Sequence, residues 1–211
     1  MTADLLSGLA VSAEIFVFTL LLALPLGFPI ALGRMSQNRL VSAVFRIYIS
    51  IVRGTPLMLQ LFFFYFGPYY AFGVSSGENY RFVACIVAFS LNYAAYFAEI
   101  YRAGIESMPL GQYEAAKMLG FTRPQTFFRI ILPQVVKRIL PPVTNEVITL
   151  VKDTSLAQVI SVVEMFTIAK MAASAHTTML PFIVAGAFYY LFNFLVAWSM
   201  ERVEKKLSYY R

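Results

Sequence analysis

Charged side chains are scarce in this sequence. Of its 211 residues, 13% are Asp, Glu, Lys or Arg, whereas a soluble domain carries about 25%. Histidine and cysteine are rarer still, with one of each, His176 and Cys85. A single cysteine excludes a disulfide within the chain, and one Cys with one His cannot build a Cys/His metal site. We expect Cys85 to be a small packing residue in a membrane-spanning segment and His176 to lie in a polar loop.

Sequence signatures of catalysis are missing as well. The chain contains no GxxxxGK[ST] phosphate-binding loop, so it cannot hydrolyse ATP by that route. No Ser-His-Asp or Cys-His arrangement stands out. We therefore expect a protein that is not itself an enzyme and that holds no metal or cofactor of its own.

Apolar residues, by contrast, are abundant. They make up 59% of the chain, with 20 Phe and 13 Tyr, and the mean hydropathy is +0.69. A membrane-spanning helix needs roughly 20 mostly apolar residues, so the composition predicts an all-α integral membrane protein with a single transmembrane domain over residues 1–211. The five predicted transmembrane helices cover about residues 9–33, 57–74, 82–102, 143–161 and 179–200.

The basic residues are distributed unevenly between the predicted loops. Residues 34–56, residues 102–142 and the C-terminal tail together carry 14 of the 17 Lys and Arg. Cytoplasmic loops are enriched in these residues, so we expect the N-terminus outside and the C-terminus in the cytoplasm of a multi-pass cell membrane protein. The net charge of +6 then reports topology, and no nucleic-acid partner is expected. Residues 40–52, LVSAVFRIYISIV, are amphipathic and are predicted to lie along the membrane surface.

One polar, helix-prone stretch interrupts the apolar chain, QYEAAKMLGFTRPQTFFRIILPQ at residues 112–134. Its first part, Gln112–Leu119, consists of good helix formers, and Gly120 is placed to end that helix in a left-handed conformation. Thr122 and Gln125 have the spacing of a capping box, with Pro124 in the first turn of a second short helix. The stretch therefore predicts a helix, a glycine turn and a second helix on the cytoplasmic side.

The spacing within this stretch resembles the EAA loop of ABC importer permeases. The letters EAA are followed by three residues, Gly120, nine residues, Ile130, one residue and Leu132-Pro133. Three longer stretches resemble the polar amino acid permeases, and the resemblance covers nearly the whole chain. These stretches are RGTPLMLQLFFFYFG (53–67), LNYAAYFAEIYRAGIESMPLGQYEAA (91–116) and ILPQVVKRILPPVTNEVITLVKDTSLAQVI (131–160).

The resemblance implies a type I ABC importer permease fold and a set of partners. A dimer of ATP-binding subunits would bind ATP and Mg²⁺, and would dock onto cytoplasmic coupling helices in the region 103–133. A second permease chain, identical or homologous, would complete the membrane part, and an extracellular or periplasmic solute-binding protein would deliver the amino acid. The residues that carry over to coupling are Glu114, Ala115, Ala116 and Gly120.

Ionisable groups inside a span usually face a cavity, and they suggest a substrate site. Glu146, Thr149 and Asp153 fall on one helical face, with Glu146 expected nearer the cytoplasmic interface than the pocket. Glu99 and Arg102 are predicted to form a helix-surface ion pair outside it. The candidate substrate-binding residues are Asp153, Asn92, Glu14, Thr149, Arg53 and Lys152, the last two for the α-carboxylate.

Alternatives remain for three of these residues and for the function. Lys152 and Asp153 either serve the pocket or neutralise each other or partners on other helices, and Glu14 either serves the pocket or is solvated near the outer interface. Carboxylates in excess favour a basic amino acid as substrate, with glutamine and other polar amino acids still open. An ion-driven secondary amino acid carrier would also contain intramembrane acids and span-breaking prolines, but it has no use for the EAA spacing.

Overall fold

The computed structural model describes residues 2–73 and 78–207, and this part of the chain is almost entirely helical. Residues 75–77, between the predicted second and third spans, lie outside the described ranges. The helices, in chain order, are α1 (Thr2–Arg34), α2 (Arg39–Gly54), α3 (Leu57–Phe72), α4 (Glu78–Glu106), α5 (Leu110–Met118), α6 (Arg123–Thr126), a π-helical turn (Phe127–Ile131), α7 (Leu132–Asp153), a 3₁₀ segment (Thr154–Ile160), α8 (Met165–His176) and α9 (Leu180–Leu207).

The segment before the predicted fourth span differs from expectation, because the chain stays helical from Arg123 to Asp153. The sequence predicted a second short helix and, after it, a separate fourth span from about residue 143. Instead, the π-helical turn joins α6 directly to α7, and Pro133 lies in the first turn of α7. In that π-helical turn the Leu132 N–H donates to the Phe127 carbonyl, so the missing N–H of Pro133 falls where the α-helical bonding pattern is already interrupted. Pro141 and Pro142 also lie within α7 without ending it.

Two hydroxyl side chains bond to carbonyl groups in the last turn of α7. Thr154 donates its hydroxyl to the Val151 carbonyl and Ser155 donates to that of Lys152, each at 2.8 Å, and the helix continues as a 3₁₀ segment. The α-helix thus stops at Asp153, short of the predicted span end at residue 161. His176, expected in a loop, is instead the last residue of α8.

Side-chain contacts fix the relative direction of the long helices. Ring contacts of Phe18 with Phe82 and of Phe16 with Phe192 place α1 beside both α4 and α9, and all three helices run the same way. The α3 helix runs against α4, since Gln60 contacts Asn92 while Tyr65 contacts Arg81. The α7 helix also runs against α4. The chain therefore reverses direction between α1, α3, α4, α7 and α9 in turn.

Three helices are long and apolar enough to cross a membrane within the described residues, and two bent pairs raise the number to as many as five. The α2–α3 pair is bent by 109° and the pair formed by Arg123–Ile160 and α8 by 60°. The α2 helix is amphipathic, as predicted. Its exposed apolar side chains recur at helical spacing, and they are Leu40, Val44, Ile47 and Ile51.

Small residues allow α1 and α4 to approach closely. Ala94, Ala95 and Ala98 of α4 are fully buried, and a Cβ on Gly27 of α1 would lie 2.9 Å from the Cβ of Phe97. Small side chains serve the same purpose at helix contacts in membranes generally. Cys85 is a free, fully buried thiol, so the prediction of a packing residue is confirmed.

Gly8 packs against the start of α8, where a Cβ on Gly8 would lie 2.7 Å from the Met165 Cα. That neighbour is backbone, so no rotamer change relieves the contact. We expect Gly8→Ala to destabilise the fold by about 1–3 kcal/mol, the usual cost of overpacking. The measurement is the thermal midpoint of the detergent-solubilised protein, followed by fluorescence-detected size exclusion.

Gly186→Ala is the matched control, because Gly186 lies exposed on α9 and a Cβ there meets nothing within 4 Å. Its midpoint should stay the same or rise slightly, since alanine favours a helix over glycine by about 1 kcal/mol. Equal midpoints for Gly8→Ala and the parent would show that α1 does not pack on the start of α8 as described.

Candidate functional site

Polar side chains line a groove between α4 and α7. On α7, Glu146, Thr149 and Asp153 recur at intervals of three and four residues, which places them on one face, as predicted. On α4, the polar side chains that line the facing side of the groove are Asn92, Tyr93, Tyr96, Glu99 and Arg102. Because the two helices are antiparallel, the stripes meet along their length.

The upper part of the groove is a cavity of about 450 Å³, within the range of small-molecule sites, about 300–1,000 Å³. It is called the acidic cavity here, and it is lined by Thr55, Pro56, Leu57, Asn92, Tyr93, Tyr96, Glu146, Thr149, Asp153 and Leu156. The Tyr93 hydroxyl donates to Asp153 Oδ2 at 2.8 Å. Asn92 is buried and donates its amide to Gln60 Oε1 at 3.0 Å. The cavity thus combines two carboxylates with amide and hydroxyl groups.

The structure brings together three of the predicted substrate-binding residues, Asp153, Asn92 and Thr149. It does not place the other three in this cavity. Glu14 and Lys152 are both exposed on the outside of their helices. Arg53 lies next to the cavity, on the far side of Tyr96.

The other part of the groove is a second cavity of about 430 Å³. It is called the arginine cavity here, after the guanidinium groups of Arg53, Arg102 and Arg138 in its wall. The remaining lining residues are Tyr96, Glu99, Ile100, Ala103, Gly104, Ser107, Ile139, Pro142 and Glu146. Tyr96 and Glu146 therefore belong to both cavities.

Glu99 is the shared carboxylate of several arginines. Arg102 Nη2 lies 2.7 Å from Glu99 Oε2, so the predicted ion pair is confirmed. Arg34 at the end of α1 and Arg53 at the end of α2 approach the same carboxylate at 3.9 and 4.0 Å. Glu99 thus connects α4 to the ends of α1 and α2. The sequence had predicted only an isolated surface pair with Arg102.

Sequence reasoning missed Glu146, Tyr93 and Tyr96 as members of the groove. Glu146 was expected at the interface, whereas the structure places it in the wall between the two cavities. Tyr96 could have been identified from the sequence, because Asn92, Tyr96 and Glu99 follow at intervals of four and three residues, the spacing of one helical face. A tyrosine inside a predicted span usually finds a hydrogen-bond partner for its hydroxyl, and Asp153 is that partner here.

The polar stretch after α4 folds largely as its sequence predicted. The α5 helix ends at Met118, and Gly120 follows with φ of +78°, a conformation that favours glycine. The Thr122–Gln125 capping box is formed, with the Thr122 N–H donating to Gln125 Oε1 at 2.9 Å. A tight turn therefore separates α5 from the long helical segment that leads to Asp153.

The exposed side of α5 contains part of the predicted coupling set. Glu114 and Ala115 are exposed, whereas Ala116 is 1% exposed and faces the interior of this chain. Two apolar side chains at the tip, Met118 and Leu119, are 88% and 74% exposed. This knob of apolar surface next to a tight turn has the properties of a docking surface.

Comparison with known proteins places the chain in a family. The family described as binding-protein-dependent transport system inner membrane component matches residues 23–209. The L-cystine transport system permease protein TcyB of Bacillus subtilis (strain 168) is 41% identical, over 92% of this chain and 81% of the relative. The octopine transport system permease protein OccM of Rhizobium radiobacter is 40% identical with the same coverage. The arginine transport system permease protein ArtQ of Bacillus subtilis is 38% identical over 97% of this chain and 92% of its own length.

Solved structures show the same fold. A crystal structure of an amino acid ABC transporter with histidines contains a chain with a TM-score of 0.88 and 32% identity, covering 97% of this chain and 94% of that one. The MetNI methionine ABC transporter in an inward-facing conformation matches with a TM-score of 0.70 at 18% identity, covering 99% of this chain and 96% of its own. The fold is therefore that of ABC importer permeases, and this chain belongs to the family of binding-protein-dependent transport system inner membrane components.

Proposed function

We propose that this chain is the membrane-spanning subunit of an ATP-driven importer of polar amino acids, with a preference for basic ones. The observation that carries the proposal is the acidic cavity between α4 and α7, in a chain of this family that also presents an exposed helix–glycine turn. Three relatives named for L-cystine, octopine and arginine support an amino acid or amino acid derivative as substrate.

The acidic cavity supports a cationic substrate. Asp153 and Glu146 contribute two carboxylates on one face of α7, and among the described residues no Lys or Arg side chain lines this cavity. An ammonium or guanidinium group there gains charge-assisted hydrogen bonds. The second N–H of the Asn92 amide is the donor for the substrate carboxylate, in place of Arg53 and Lys152. The Thr149 hydroxyl donates to the Asn145 carbonyl at 2.9 Å, so it offers the substrate an acceptor.

The exposed α5 knob is the proposed contact with a separate ATP-binding subunit. An amphipathic or apolar helix that fits a groove on its partner is a common recognition mode. Glu114 and Ala115 face outward, the Gly120 turn fixes the angle of α5, and Ala116 lets α5 pack against its own chain. A dimer of ATPase subunits, a second permease chain and an external solute-binding protein complete the proposed assembly.

The proposed topology has five membrane crossings, with the N-terminus outside and the C-terminus in the cytoplasm of a cell or inner membrane. The alternating directions of α1, α3, α4, α7 and α9 support an odd number of crossings. The arginines gathered around Glu99 support a cytoplasmic location for that end of the bundle.

Replacing Asp153 tests the substrate site. Asp153→Asn removes the charge but preserves the shape and the acceptor for Tyr93. We expect roughly a tenfold rise in the arginine concentration that half-saturates uptake, equivalent to about 1.4 kcal/mol, because the cationic group loses one charged partner. The measurement is uptake of labelled arginine into proteoliposomes that contain the assembled transporter.

Lys152→Gln is the control for this experiment, since Lys152 is adjacent in sequence but exposed outside the cavity. Uptake by Lys152→Gln should match the parent, and ATP hydrolysis by Asp153→Asn should persist. Normal arginine uptake by Asp153→Asn would refute the assignment of the acidic cavity as the substrate site.

Replacing Gly120 tests the coupling surface. A β-branched residue at φ of +78° is strained, and the left-handed conformation costs an L-residue roughly 1–2 kcal/mol. Gly120→Val should therefore reorient α5, with loss of the co-purifying ATP-binding subunit and of ATP-dependent uptake. Gly120→Asn should retain both, because asparagine tolerates this conformation. The measurement is a mild-detergent pull-down of the tagged chain together with uptake.

Gly73→Val is the matched control, because Gly73 has φ of +67° and open surroundings but lies at the end of α3. It introduces the same backbone strain away from α5, and it should leave the ATPase bound. If no ATP-binding subunit co-purifies with the parent chain and uptake follows an ion gradient, the importer proposal gives way to the secondary carrier.

A further inference from the structure

The two cavities of the groove have opposite electrostatic character and share two wall residues. Asp153 and Glu146 are the charged groups of the acidic cavity, whereas the arginine cavity contains three guanidinium groups. Tyr96 and Glu146 stand between them. A small molecule that moves along the groove from one cavity to the other must pass these two side chains.

Arg53 lies on the arginine-cavity side of Tyr96 and Glu146. Its guanidinium carbon lies 5.0 Å from the centre of the Tyr96 ring, within the range of a cation–π contact. Its Nη1 lies 4.0 Å from Glu99 Oε2, so this ion pair is much looser than the 2.7 Å pair between Glu99 and Arg102. Arg53 is therefore held over Tyr96 by contacts that are easily exchanged.

Arg53 also belongs to a different part of the chain from the residues that it covers. It lies in the last turn of α2, just before the 109° bend to α3, whereas Tyr96 and Glu99 are on α4. A change in the angle between α2 and α4 would carry the guanidinium away from Tyr96. The Arg102–Glu99 pair, with both members on α4, would stay in place.

We infer that Arg53 is the gate of the cytoplasmic exit: stacked on Tyr96, it closes the passage from the acidic cavity to the arginine cavity, and the arginine cavity is the exit compartment. The inference rests on the proposed function. An amino acid that leaves the acidic cavity meets guanidinium groups that attract its carboxylate and repel a cationic side chain. Arg53 is a positioning residue in this account, since it controls access and does not form the site itself.

The single cysteine allows a direct test. In a Cys85→Ala background, Leu156→Cys places one thiol in the wall of the acidic cavity without replacing a proposed substrate contact. The assembled transporter, in inverted membrane vesicles, is treated from the cytoplasmic side with a membrane-impermeant, cationic methanethiosulfonate, and the rate of labelling is measured. Arg53→Gln should raise this rate roughly two- to fivefold, the scale expected when one partly exposed cation–π contact no longer favours the closed state, since the Arg53 side chain is 43% exposed.

Arg34→Gln is the matched control, because Arg34 approaches Glu99 at 3.9 Å, as Arg53 does, but does not line either cavity. Its labelling rate should equal that of the parent. Tyr96→Leu removes the ring and should accelerate labelling, whereas Tyr96→Phe retains the ring and should not. This pair keeps the test decisive if Arg53→Gln does not assemble.

Equal labelling of Arg53→Gln and the parent, or equal acceleration by Arg34→Gln, would overturn the gate. Protection by arginine separates this result from the substrate site. If arginine slows labelling of Leu156→Cys but Arg53→Gln leaves the rate unchanged, the site stands and the gate fails. If Arg53→Gln accelerates labelling and arginine gives no protection, the gate stands and the substrate site fails.

Discussion

The close antiparallel contact of α4 with α7 is the constraint on which the rest of the structure depends. A Cβ on Gly104 would lie 2.2 Å from Ile139 Cγ2, so the absence of a side chain there lets the C-terminal end of α4 meet the N-terminal part of α7. Arg138 donates to the Ser107 carbonyl at that end, and Tyr93 donates to Asp153 near the other. Ionisable groups in an apolar bundle need such partners or a cavity. The contact supplies both, because two polar stripes held this close share one groove.

The α4 helix separates the groove from the apolar core. Its buried alanines pack against α1, and the face with Asn92, Tyr96 and Glu99 turns towards α7. Helical periodicity makes the two faces independent, so small residues can optimise packing on one while polar residues form the cavities on the other. Glu99 extends the polar face to the helix ends, where it gathers arginines from α1 and α2. The same helix thus contributes to the walls of both cavities.

Local features were predictable from the sequence, and long-range pairings were not. Spacing alone placed Glu146, Thr149 and Asp153 on one face, and residue types alone predicted the Gly120 turn and the capping box after it. Periodicity says which residues share a face, but not which helix that face meets. The contact between Tyr93 and Asp153 joins residues 60 positions apart, and the exposure of Glu14 and Lys152 depends on the same tertiary arrangement. Ala116 shows the limit within a motif, since neighbouring alanines point in different directions and only one is exposed.

The continuity of the chain from Arg123 to Asp153 changes how the two functional regions relate. A break before the predicted fourth span would have separated the Gly120 turn from the acidic cavity by a non-helical segment. The observed helix instead spans about 45 Å at 1.5 Å per residue, from the residue after the capping threonine to the carboxylate in the acidic cavity. The π-helical turn at Phe127–Ile131 is its main irregularity, and such turns often occur at functional sites. A displacement of the Gly120 turn by a docked partner would therefore move Glu146 and Asp153 with it, without the need for a separate chain of side-chain contacts between the two regions.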